Sequence, residues 1–198
     1  MTYSEESAMS CWEAGAAFMS RGDWVSATHA FREAVRIDPA FGEAYAGLGA
    51  ALGSQGRWSE AVVAHTRALE LVPEHVDTTR NLGVAYAELL RSNEAESCFR
   101  KVLESRPLDT DVLLRLASAL AEQDKCAEAL EILQQVTRLA PDNPLAHAMA
   151  ARELVQLSRI QEARTALEQA RLLDPGLFDA MPGVAELWAE IEGRLTTG

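Results

Sequence analysis

Five prolines, Pro39, Pro73, Pro107, Pro141 and Pro175, follow one another at intervals of 34 residues. A period of that size limits the chain to an array of like units, each too small to bury a core alone and stable only when stacked on its neighbours. With each proline at position 32, the 198-residue chain divides into windows 8–41, 42–75, 76–109, 110–143 and 144–177. Residues 1–7 are expected to fray. Residues 178–198 are read as a capping helix and tail.

The windows align in columns. Position eight reads Gly15, Gly49, Gly83, Ala117, Ala151, and position twenty reads Ala27, Ala61, Ala95, Ala129, Ala163. Larger apolar residues stand at position seven (Leu48, Leu82, Leu116), at eleven (Phe18, Leu52, Tyr86, Leu120, Leu154) and at twenty-four (Phe31, Phe99, Leu133, Leu167), with His65 the exception in the last column. Spacings of three and four trace the apolar stripe of an amphipathic helix, twice per window. Each window therefore predicts two antiparallel helices, with small residues letting the backbones approach. The proline after each second helix removes an amide donor and stops it. Gly22 and Gly56 mark the turn inside the first two pairs, and Leu90, Asp124 and Ser158 at the same place predict tighter or less regular turns in the other three.

These residues resemble the tetratricopeptide repeat family. Its pattern is met in window two by Tyr45, Leu48, Gly49, Leu52, Ala61, His65, Ala68 and Pro73. The resemblance implies an all-α fold, a right-handed α-solenoid of five helix-turn-helix repeats plus a C-terminal capping helix. Val184, Ala185 and Trp188 continue the first-helix register, Asp179 is a candidate cap, and Glu186, Glu190, Glu192 and Arg194 are expected on the wet side. No further element precedes window one, so its first helix is expected to be uncapped.

Little points to chemistry. The stretch YAGLGAALGSQGRW, residues 45–58, looks like a phosphate loop but has no leading strand and no Gly-Lys-Ser/Thr closure. Gly49 is read as a helix-packing glycine, Gly56 as the turn, and Gly47 and Gly53 as groove residues. The four histidines are scattered, no G-x-S-x-G elbow is present, and Cys11, Cys98 and Cys126 form no C-x-x-C pair. No enzyme, metal or cofactor is expected, and the cysteines read as small buried hydrophobes in a reducing, cytoplasmic compartment. The net charge of −12 argues against nucleic acid or an anionic membrane as partner. The acidic opening and the lack of a long apolar run argue against a leader or span.

The function expected is a non-catalytic scaffold or adaptor that binds a protein or peptide partner in a concave groove. The family resemblance assigns positions two, five, nine, twelve and thirteen of each first helix to that groove. The candidates are Met9, Trp12, Ala16 and Met19 in repeat one, Ala46, Ala50 and Gly53 in repeat two, Arg80 and Val84 in repeat three, Leu114 in repeat four and Arg152 in repeat five. Ala148 and Val155 fall on the same positions. Small residues leave volume for guest side chains, Met and Trp offer adaptable contact area, and Arg80 and Arg152 suit an acidic group. Trp24 and Trp58 are read as packing across their own hairpins. The family's carboxylate clamp is absent, its slots holding Trp12, Ala16, Gly47, Asp77 and Asn81, and the asparagine ladder fails at Glu13, Gly47, Arg115 and Met149. The alternatives are a self-assembling homo-oligomer joined through the uncapped first helix, and a regulatory or recruiting subunit of an enzyme complex.

Overall fold

A computed structural model describes residues 3–176 and 182–197, and all regular secondary structure among them is helical. The helices are α1 (Tyr3–Ser20), α2 (Trp24–Ile37), α3 (Gly42–Gly53), α4 (Trp58–Leu71), α5 (Val76–Glu88), α6 (Ser92–Ser105), α7 (Thr110–Ala121), α8 (Cys126–Leu139), α9 (Pro144–Gln156), α10 (Ile160–Leu173) and α11 (Pro182–Thr197). Each window yields one hairpin. The first helix begins at Tyr3, ahead of the window that starts at residue 8, so residues 3–7 lie within its opening turns. No described helix is long and apolar enough to cross a membrane.

The chain forms two compact units, Met1–Ser105 and Arg106–Gly198. In the first, hairpins α1/α2, α3/α4 and α5/α6 stack in order, with α2 against α3, α4 against α5, and the first helices α1, α3 and α5 side by side. In the second, α7/α8 stacks on α9/α10, and α11 packs against α10 and α9. Val184 and Ile191 of α11 are buried with Leu167 and Ala170 of α10. Glu192, expected on the wet side, turns toward α10 and lies 3.2 Å from Arg164. Asp179 lies outside the described residues.

The column of small residues has a direct cause. A Cβ on Gly15 would stand 2.7 Å from the Phe31 ring, one on Gly49 2.5 Å from the His65 ring, and one on Gly83 2.8 Å from Phe99. A ring at position twenty-four thus lies flat on position eight and admits only glycine. Where that ring is replaced by Leu133 or Leu167, position eight carries Ala117 or Ala151, all four buried in one cluster. Gly47, read as a groove residue and half-buried, also takes part in this packing. Its Cβ would meet Phe31 at 2.7 Å, so Phe31 is held between glycines of its own repeat and the next.

The hairpin turns correct a second expectation. Gly22 (φ 74°), Gly56 (φ 71°), Leu90 (φ 57°), Asp124 (φ 58°) and Ser158 (φ 59°) all adopt the left-handed conformation. The backbone bonds also match: Gly56 N donates to Gly53 O at 2.9 Å, and Leu90 N donates to Ala87 O at 2.9 Å. The turns are therefore one geometry, held in three copies by stacking despite a side chain that disfavours it. Asp23, Asp109 and Asn143 cap the helices that follow them by accepting from Ser26 N, Val112 N and Ala146 N. Gln55 ties repeat two to repeat one, its Nε2 donating to Trp24 O at 3.0 Å and to Thr28 Oγ1 at 2.7 Å.

Candidate functional site

In the first unit, the groove positions of α1, α3 and α5 are open or half-open. Met9 is exposed, and Trp12, Ala16, Met19, Ala46, Ala50, Gly53, Arg80 and Val84 are half-buried. Trp12 is partly occupied within the protein: its ring centroid lies 6.2 Å from that of Phe41, which precedes α3, with the planes tilted by 38°.

Between repeats two and three the face opens into a hollow of about 250 Å³, lined by Gly49, Ala50, Gly53 and Ser54 from the α3 end, Trp58, Ala61 and His65 of α4, and Asn81, Val84 and Ala85 of α5. The sequence candidates Ala50, Gly53 and Val84 meet here. Met9, Trp12, Ala16, Met19, Ala46 and Arg80 do not line it. Trp58 packs back across its own hairpin as expected, since a Cβ on Gly53 would come within 3.1 Å of its Cζ3. It also forms one wall, a role the sequence reading missed.

His65 is the other unforeseen wall. It is 2% exposed, and its Nδ1 is buried without a hydrogen-bond partner. Burial, with a smaller repulsion from His75, lowers its pKa to about 4, so the ring is neutral near pH 7. Its occupancy of an aromatic column marked it in the sequence; the unpartnered nitrogen needed the packed structure.

The second unit differs. Leu114 is half-buried against the core around Leu133 and Leu154. Ala148 and Val155, assigned to the groove by position, are 5% and 1% exposed, because they share the cluster that includes Val184 and Ile191 of α11. Arg152 is exposed, but its Nε donates to Glu153 Oε1 at 2.9 Å, and Glu153 is itself 1% exposed. Both line a hollow of about 270 Å³ with Ser118, Ala121, Glu122, Asp124, Cys126 and Gln156. Its charged groups are Glu122, Asp124 and Glu153 beside Arg152.

The three cysteines are free and half-buried rather than fully buried. Burial pushes the Cys98 thiol up to about 11, and burial followed by a hydrogen bond with Glu153 raises that of Cys126. A larger opening of about 870 Å³ lies over Tyr45, Leu48 and Leu52 of α3 and one side of α4. It uses none of the groove positions.

Two family models, each described as tetratricopeptide repeat, match the chain, one over residues 13–76 and the other over 91–153 and 120–181. A search of curated proteins gives no match. Among solved structures, YrrB, described as a TPR protein with an unusual peptide-binding site, is 21% identical over 83% of this chain and 85% of its own, with a TM-score of 0.79. MamA from Desulfovibrio magneticus RS-1, beginning at its residue 41, is 19% identical over 86% and 96%, with a TM-score of 0.81. MamA AMB-1 is 23% identical over 85% and 92%, with a TM-score of 0.78. At these identities the likeness is one of fold.

Proposed function

Because the chain belongs to the tetratricopeptide repeat family, we propose that it is a non-catalytic scaffold whose groove face holds an extended or helical segment of a partner protein. The observation that carries this reading is the hollow at repeats two and three. Its floor is Ala50 and Gly53, and the space above them is not filled by the protein's own side chains. Trp12 and Met19, on the same face one repeat earlier, add half-buried apolar contact area. The peptide-binding site named for YrrB belongs to that protein; here the support is the hollow itself. Three cysteines with no disulfide among them suit work in a reducing compartment such as the cytoplasm.

Photo-crosslinking in the native cell extract tests the reading. A crosslinking residue at Ser54, beside the hollow, should capture a partner segment that the same residue at Val63, 70% exposed on α4, does not. Capture should weaken in Trp12→Ala. Equal capture from both positions, capture of only a second copy of this chain, or no capture would overturn it.

A further inference from the structure

A floor of small residues does not by itself identify a guest. Two further properties of the first unit do. The first is the lining of the hollow, to which His65 contributes a ring whose Nδ1 is buried beside Gly49 and out of reach of a guest. Elsewhere the lining is mostly Gly, Ala, Val and Trp. An apolar cavity of about 150 Å³ is large enough to bind benzene, so about 250 Å³ accommodates a leucine or methionine side chain.

The second property is charge. At the groove positions of α1, α3 and α5 and the column beside them stand Glu13, Glu43, Asp77 and Glu88, all exposed, against a single cation, Arg80. These positions of the first unit are therefore net negative, in a chain whose net charge is −12, while the hollow itself is lined by no carboxylate. Complementary charge selects the partner and speeds encounter, whereas an acidic segment would be repelled.

Resting on the groove-binding reading, we propose that the guest is a basic segment in extended conformation, which places one leucine- or methionine-sized side chain in the hollow between repeats two and three. Its lysines or arginines pair with the exposed carboxylates at the groove positions of α1, α3 and α5. Side chains two residues apart share a face of an extended strand, about 7 Å from one another. Cations two and four residues either side of the inserted group thus face the groove together with it, about 7 and 14 Å along the segment.

The probe is the peptide acetyl-KGKGLGKGK-amide, titrated into the full chain labelled with ¹⁵N, with the indole N–H of Trp58 as reporter. The basic peptide should shift that signal saturably, and its affinity should fall as salt rises. The same peptide with Glu for Lys, and one with Gly for Leu, should each bind at least tenfold more weakly. Ala50→Leu, which fills the hollow, should weaken binding at least tenfold with the helical circular dichroism unchanged. If that variant does not fold, Ser54→Leu at the exposed mouth serves the same purpose. Equal binding of the acidic peptide, no movement of Trp58, or full affinity in the filled variant would overturn the proposal. A partner crosslinked at Ser54 together with no binding of the basic peptide would reject this guest chemistry and leave the groove reading standing; no crosslinked partner would reject the groove reading.

Discussion

His65→Phe should make the protein more stable and flatten part of its response to acid. The site is prepared for a ring, because Phe31 and Phe99 occupy the same position in repeats one and three, each lying on a glycine as His65 lies on Gly49. Phenylalanine removes the buried, unpartnered Nδ1, an atom whose uncompensated desolvation costs roughly 1–3 kcal/mol. That gain is present at pH 7.5. A second gain appears as pH falls. The folded-state pKa of His65, lowered to about 4 from 6.5 by burial and then by His75, means that the unfolded chain takes up a proton below 6.5 while the native chain does not. Stability contributed by the neutral ring is therefore full above 6.5 and drains away toward 4, by about 1.4 kcal/mol at pH 5.5 and about 3 kcal/mol at pH 4. Carboxylates such as Asp23, Glu94 and Glu162, whose folded-state pKa values are lowered, also weaken the fold in acid, but equally in both proteins. Urea denaturation followed by circular dichroism at pH 7.5 and 5.5 isolates the histidine, and pH 5.5 stays clear of the isoelectric point near 4.8. A variant no more stable at pH 7.5, with a gap that does not widen at pH 5.5, would refute the reasoning.

Other substitutions test the packing. Leu90→Gly should stabilise by roughly 0.5–1 kcal/mol in urea melts, since Leu90 is 80% exposed and left-handed, and the conformational relief exceeds the added freedom of the unfolded chain. Ala95→Leu, at a position 0% exposed, should overpack the α5/α6 hairpin and cost roughly 1–3 kcal/mol, seen as a lower denaturation midpoint. Leu116→Ala, at 1% exposed, should open a cavity in the second unit at a cost of roughly 2–5 kcal/mol. Gly49→Ala should destabilise the wild-type chain, with its Cβ forced against the His65 ring, and should be tolerated far better when His65 is also changed to leucine, as the Ala117/Leu133 pairing implies; a double-mutant cycle measures that coupling.

The repeat was legible because its punctuation is chemical. Proline cannot continue a helix, and a residue under a ring cannot carry a Cβ, so both columns survive in a single sequence. The turns at Leu90, Asp124 and Ser158 were misread because local preference was the only signal, and stacking of the flanking helices overrides it. The burial of Ala148 and Val155 is not readable from position alone, because a position number gives a helix face but not what α11 lays against it. Ala50, Gly53 and Val84 share one face through the positions that the family resemblance assigns, and they meet at the hollow. That Trp58 and His65 would wall the same hollow depends on how α4 leans toward α5, which no periodicity carries.

The most direct measurement is an isotope-filtered nuclear Overhauser experiment on the complex of the full chain with the partner segment recovered by crosslinking. The account predicts contacts from one guest aliphatic side chain to the methyl groups of Ala50 and Val84 and to the Trp58 indole. Contacts confined to Val25 or Val63, both exposed away from the hollow, would contradict it.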